Sequence, residues 1–414
     1  MDRRDFLRQA TLAAAGAVFV PNILTACSSE TPASAPPSSS RATTTTTLPP
    51  RVTGPLRAGA PYGPLGAPDG NGIGLPKGFR SRIVAVSREP VGGTDYRWHY
   101  APDGGACFAV PDGDGAYVYV SNSETVGAEG GGVSAIRFAP DGEIVDAYRI
   151  LRDTNINCAG GPTPWNTWLS GEEIPGGRIW ECDPFRPSQG TPRAALGLYS
   201  HEAAAVDPDA EQVYLTEDQP GGRLYRFTPR AYPDLASGTL EVAKVEGDPR
   251  TGADVTWITV SEGNTGATAP RPSGSTAFNG GEGIWWHNGA VYFTTKGDNR
   301  VWVLDTADQR LEVLYDDTVP GATLRGVDNV VVNQAGEIVV AEDGDDLQLN
   351  VMNPDGVVGP LLQVVDQPGS ELAGPAFNPS GDRLYFSSQR ARGAAPLKGI
   401  GVTYEITGPF NTSS

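Results

Sequence analysis

The stretch Asn157-Cys158-Ala159-Gly160-Gly161-Pro162-Thr163-Pro164-Trp165-Asn166-Thr167-Trp168-Leu169-Ser170-Gly171-Glu172-Glu173 gathers a thiol, a tight turn, two tryptophans and paired carboxylates. Carboxylate oxygens are hard ligands suited to Ca²⁺, whereas a thiolate is soft and prefers a transition metal. Together they suggest a mixed site, with iron or a similar metal beside calcium. Taken alone, Cys158 would read as a small buried apolar residue. With three histidines in the chain, carboxylates and one cysteine are the expected ligands, and a His-rich zinc site is not.

Further acids recur in register. Glu202, Glu282 and Asp328 each lie five residues before a turn position (Asp207, His287, Asn333), and Ala373 stands at the fourth equivalent place. A second row, Glu217, Thr295, Glu342 and Ser388, ends the strands that follow those turns. Glu172 and Glu173 end a strand in the same way. A single strand-end acid is ordinarily a solvated loop residue. Like charges held together in register instead call for cations among them.

The elements that must position these residues are short strands. One hairpin pattern repeats: an apolar strand, a turn with Asp, Asn, Pro or Gly, then apolar-Tyr-apolar-Thr/Ser. Copies run through Val213-Tyr214-Leu215-Thr216, Val291-Tyr292-Phe293-Thr294, Ile338-Val339-Val340-Ala341 and Leu384-Tyr385-Phe386-Ser387, with a partial copy at Val118-Tyr119-Val120-Ser121. The steps between Tyr214, Tyr292, Val339 and Tyr385 are 78, 47 and 46 residues. A period of about 40–50 residues is that of a propeller blade. The expected fold is an all-β propeller of about six blades over residues 76–409, with an insertion from Ala231 to Ser275 filling the long step. Equivalent blade positions converge on one ring, so both rows of acids would meet in a central channel.

Composition agrees. With 53 glycines, 36 prolines and 19% charged residues in 414, the chain favours turns and strands over long helices. A net charge of −18 argues against a nucleic-acid binder. Arg3 and Arg4 before an apolar run look like a Tat export signal, and Leu24-Thr25-Ala26-Cys27 looks like a lipobox with lipidation at Cys27. Residues 1–26 are therefore expected to be a signal peptide, and 27–75 a Ser/Thr/Pro-rich tether. The product would be an extracytoplasmic lipoprotein and a monomer. Of the three remaining cysteines, Cys107 and Cys182 could form a disulfide.

The motif Asn157–Glu173 resembles the signature of the PhoX alkaline phosphatases. His201-Glu202, Thr216-Glu217-Asp218, Glu282-Gly283-Ile284, Asp328-Asn329 and Glu342-Asp343 resemble that family's later pieces. The resemblance implies a Tat-exported propeller hydrolysing phosphate monoesters of small substrates, with iron and calcium joined through carboxylates and one cysteine. It implies Cys158, Glu124, Glu172, Glu173, Glu202, Glu217 and Glu282 as metal ligands; Asp328 and Glu342 join them from the rows of acids. Two positions depart from the family: Ser123 stands where a histidine is usual, and Gly280 where a phosphate-holding arginine is usual. Lys296 and Arg325 are the nearest cations to replace that arginine. Cys158, Glu282, Lys296 and Arg325 are accordingly the candidate catalytic residues. Two other readings stay open: a calcium-dependent propeller hydrolysing another ester, such as a lactone, and a non-catalytic surface propeller riveted by metal.

Overall fold

A computed structural model describes residues 51–52, 55–126, 130–261, 271–344, 346–392 and 399–411. The expected export signal, the lipobox and the tether up to residue 50 lie outside the described residues. The described residues all fall within one compact unit, Pro49–Ser414.

Short strands dominate because the turns between them are cheap. Asn288 and Gly289, for example, take φ of 55° and 75° in the two-residue turn of one hairpin, the left-handed conformations such turns require. Two-residue strands β1 (Arg57–Ala58) and β2 (Ile73–Gly74) come first, followed by β3 (Arg80–Val86). Blade 1 is β4 (Pro102–Ala109), β5 (Tyr117–Ser123), β6 (Gly131–Phe138) and β7 (Ile144–Thr154). Blade 2 is β8 (Asn157–Pro162), β9 (Trp168–Glu172), β10 (Ile179–Cys182) and β11 (Thr191–Pro192). Blade 3 is β12 (His201–Asp207), β13 (Gln212–Glu217), β14 (Leu224–Ala231) and β15 (Asp234–Glu246), extended by β16 (Ala253–Thr259). Blade 4 is β17 (Gly281–His287), β18 (Ala290–Thr295), β19 (Arg300–Asp305) and β20 (Arg310–Tyr315). Blade 5 is β21 (Val327–Val332), β22 (Ile338–Glu342), β23 (Gln348–Met352) and β24 (Val357–Val364). Blade 6 is β25 (Leu372–Phe377), β26 (Arg383–Ser388) and β27 (Val402–Thr407), with β3 as its outer strand. An early strand thus completes the last blade and closes the ring.

The core is divided among the seams between blades, because successive strand residues face opposite sides. On β13, Tyr214 packs toward blade 4 with Phe293 and Trp302, while Val213 and Leu215 pack toward blade 2 with Leu169 and Ile179. The seam between blades 6 and 1 stacks Tyr119 on Tyr385, with ring centroids 5.2 Å apart.

Three expectations are corrected. The described part of 231–275 is not an insertion outside the blades: it supplies β15, the fourth strand of blade 3, and β16, which pairs with β20 and joins two blades into one sheet. The tether does not extend to residue 75. Both β1 and β2 pair with β24, Val52 and Leu56 are buried, and Arg51 Nη1 bonds Asp305 Oδ2 at 2.6 Å. Apolar residues within the Pro/Gly-rich sequence give this segment a surface to bury. Finally, Cys107 and Cys182 are both free thiols: one packs in the seam of blades 6 and 1, the other in the seam of blades 1 and 2.

Candidate metal centre

Each inner strand, β4, β8, β12, β17, β21 and β25, carries a register shift near its start: 102/105, 157/160, 201/204, 281/284, 327/330 and 373/376. A bulge adds an unpaired residue and re-aims the side chains beside it. Asp103, Cys158, Glu202, Glu282 and Asp328 all occupy these bulges. The residue after each is small or compact (Gly104, Ala159, Ala203, Gly283, Asn329), and these line one narrow cleft together with Gly374. Close packing explains the glycines. A Cβ on Gly104 would lie 2.5 Å from Ala159 Cα, and one on Gly283 would lie 2.5 Å from Val330 N.

The donors form four linked groups, within each of which one ligand atom per residue lies within 4.8 Å of the others. They are Asp103–Glu124–Cys158, Cys158–Glu173–Glu202, Glu202–Glu282–Asp328 and Asp328–Asp343–Glu371. Cys158, Glu202 and Asp328 are each shared by two groups, so the donors make a continuous array across the bulged strands. Every member is buried except the half-buried Asp343. Bringing so many carboxylates out of water costs several kcal/mol per ion, roughly, unless cations offset them. Hard oxygens and a single thiolate are donors suited to such ions, so the residues present fit the metal centre expected from sequence.

Supporting bonds fix the array. Gln389 Nε2 donates to Glu124 Oε2 at 2.5 Å and also to Asp103 Oδ2. The thiol of Cys158 lies 3.7 Å from Asp103 Oδ2. Asn122 ties the Cys158 strand down: its Nδ2 donates to the carbonyls of Cys158 and Ala159 at 3.2 and 2.8 Å. Its Oδ1 accepts from Trp168 Nε1 and Ser170 Oγ at 2.9 and 3.0 Å. Trp168 is therefore blade packing with its polar handle satisfied.

Of the residues singled out from sequence, Glu124, Cys158, Glu173, Glu202, Glu282 and Asp328 come together in these groups. Glu172, Glu217 and Glu342 do not, and a common geometry explains why. Their Oε2 atoms accept from the backbone N–H six residues on: Arg178 at 3.3 Å, Arg223 at 3.1 Å and Gln348 at 3.0 Å. They close the connection between the second and third strands of their blades. Glu217 also pairs with Arg271 and accepts from Tyr225 Oη at 3.0 Å. Glu342 also accepts from Arg325 N at 2.9 Å and Asn350 Nδ2 at 2.9 Å, and burial pushes its carboxyl up to about 7.

Lys296 reaches the array. Its Nζ lies 3.1 Å from Glu282 Oε1, 3.4 Å from Asp328 Oδ2 and 3.0 Å from Asp343 Oδ2. Arg325 does not: 54% exposed, it pairs with Asp317 at 3.4 Å and donates to Leu324 O, and neither partner belongs to a group. Gly280, at φ 70°, accepts from Lys296 N at 2.8 Å. Its left-handed backbone suits glycine and would strain an arginine. Ser123 Oγ donates to Tyr100 O and plays no part in the array. The three histidines lie outside the groups as well. Burial holds His201 down to about 4, and its Nε2 meets Gly197 O at 3.1 Å.

Sequence reasoning missed Asp103, Asp343 and Glu371 as donors, and Gln389 and Arg390 as their partners. Asp343 carried a signal, since it directly follows Glu342 as Glu173 follows Glu172.

A family model described as alkaline phosphatase PhoX matches residues 130–179 and 176–314. None of the curated proteins matches the chain in sequence. Among solved structures, Pseudomonas fluorescens PhoX in complex with vanadate, a transition state analogue, is similar at a TM-score of 0.68 and 17% identity, covering 87% of this chain and 98% of that one. A Bacteroides thetaiotaomicron protein of unknown function is similar at a TM-score of 0.50 and 11% identity, covering 80% and 76%. A gluconolactonase from Xanthomonas campestris is similar at 0.48 and 12%, covering 84% and 99%.

Proposed function

The chain carries the pattern of the alkaline phosphatase PhoX family across residues 130–314, and we propose that it is a metal-dependent phosphomonoesterase whose ions are iron and calcium. The observation that carries this reading is the continuous array of buried carboxylates through which a single cysteine is shared by two donor groups. The thiolate of Cys158 gives its two groups the soft donor that iron accepts. Glu202–Glu282–Asp328 and Asp328–Asp343–Glu371 offer oxygen alone, which favours calcium.

Ions bound in the array would supply Lewis acidity toward phosphoryl oxygens and offset the charge that develops as the ester bond breaks. The chain's own residues do the rest. Gln389 holds Asp103 and Glu124 in one orientation, and Asn122 anchors the strand that presents Cys158. Lys296, 17% exposed, offers an ammonium at the outer side of the array, where a phosphoryl oxygen can accept a charge-assisted hydrogen bond. Export through the Tat route, which carries folded proteins, and lipidation at Cys27 complete the proposal: a monomer held at a membrane surface, acting on small phosphorylated substrates.

Elemental analysis of the natively exported protein tests the metal assignment. Iron and calcium bound together, with iron lost in Cys158→Ala, is the expected result. A protein without iron would contradict the assignment.

A further inference from the structure

Exposure is graded across the array. Glu202 and Glu282 are fully buried and Cys158 and Asp103 nearly so. At one end, beside the buried Asp328 and Glu371, Asp343 is 22% exposed, Lys296 17% and Arg390 15%. Two cations from different blades converge there on one carboxylate. Lys296 Nζ is 3.0 Å from Asp343 Oδ2, and Arg390 Nη2 is 3.9 Å from Asp343 Oδ1. Arg390 is aimed by its surroundings: its Nε donates to Gly369 O at 3.0 Å, its Nη2 to Glu371 Oε2 at 2.6 Å, and its Nη1 to Gln389 Oε1. A guanidinium fixed in this way loses little freedom on meeting a planar or tetrahedral oxyanion, and its fork matches two oxygens of a phosphoryl group.

Resting on the phosphatase reading, we infer that Arg390 is a substrate-binding residue: with Lys296 opposite, it forms the outer jaw that receives the phosphoryl oxygens of the monoester. The two cations face four carboxylates, Glu282, Asp328, Asp343 and Glu371, so the jaw alone would repel a phosphate dianion. It becomes attractive once ions offset those acids, which couples substrate capture to a loaded metal centre.

The test uses full-length, natively exported protein carrying its metals. Binding of labelled inorganic phosphate is measured by equilibrium dialysis on the wild type, Arg390→Gln, Arg390→Lys and Lys296→Gln. Metal content and the KM and kcat for para-nitrophenyl phosphate are measured alongside. Arg390→Gln should weaken phosphate binding and raise KM together, by about 10–100-fold, the range of a charge-assisted hydrogen bond. With iron and calcium supplied in excess, to offset the partner that Glu371 loses, metal content should match the wild type, and Arg390→Lys should recover part of the loss. Phosphate binding unaltered in Arg390→Gln, or lost only in step with metal, would overturn the inference while leaving the enzyme reading intact. A metal-loaded wild type that neither binds phosphate nor turns over the ester would overturn the enzyme reading itself.

Discussion

The thiol of Cys158 in blade 2 lies 3.7 Å from Oδ2 of Asp103 in blade 1. Both residues sit in the bulges near the starts of β4 and β8, where the side chains are re-aimed. If the pair belongs to one metal centre, Cys158→Ala and Asp103→Asn should each lower iron content and phosphatase activity together. The loss should be at least roughly 100-fold, since even outer-sphere changes cost about 10–100-fold. Iron analysis and turnover on the purified variants check this.

The row formed by Glu172, Glu217 and Glu342 should behave oppositely. Glu342→Ala strands the N–H groups of Arg325 and Gln348 and the amide of Asn350, and each buried orphan costs about 1–3 kcal/mol. The melting temperature should fall while metal stoichiometry in the folded protein stays at the wild-type value. Loss of metal without loss of stability would return Glu342 to the ligand set.

Asn122 is expected to couple both properties, because it bonds the Cys158 strand on one side and Trp168 and Ser170 on the other. Asn122→Ala should destabilise by about 2–4 kcal/mol from its stranded partners and weaken metal retention. Denaturant titration and dialysis against a chelator measure the two effects. Asn122→Asp keeps an acceptor for Trp168 and Ser170 but leaves the two carbonyls without donors, so it should weaken metal retention as Asn122→Ala does.

Histidine burial predicts a pH dependence. His99 is fully enclosed, and desolvation, aided by Arg149, holds its pKa well below the usual 6.5. The unfolded chain therefore takes up a proton near pH 6.5 that the native imidazole refuses. This contribution to stability is complete above that pH and is lost as the pH falls below it. His99→Gln, which can still bond Ser134, should show a shallower decline in stability between pH 7.5 and 5 than the wild type. Equal slopes would show that His99 takes up its proton as readily in the native fold as in the unfolded chain, contradicting the downward shift.

Much of this was legible in the sequence because a hairpin repeat fixes register. Once Tyr214 and Tyr292 are aligned, Glu202 and Glu282 must fall at the same place on their blades, and Asp328 follows. What could not be read was which member of an adjacent pair faces the centre. In Glu172-Glu173 and Glu342-Asp343, strand alternation sends one carboxylate to the blade's own backbone and its neighbour to the array, and the two acids look alike on paper. Asp103 was hidden for another reason: its strand is the glycine-rich segment Pro102-Asp103-Gly104-Gly105, where the hairpin pattern is only partial. Glu371, Gln389 and Arg390 flank the first two strands of blade 6, whose inner bulge carries no acid, so the ring seemed to end before them.

Whether the carboxylate and cysteine array holds the ions for phosphomonoester hydrolysis is decided by turnover of para-nitrophenyl phosphate by the natively exported protein before chelation, after chelation, and after restoring iron and calcium. Activity should be present in the native protein, be lost on chelation, and return only when both metals are supplied. Hydrolysis that survives complete removal of metal, or a metal-loaded protein with none, would contradict it.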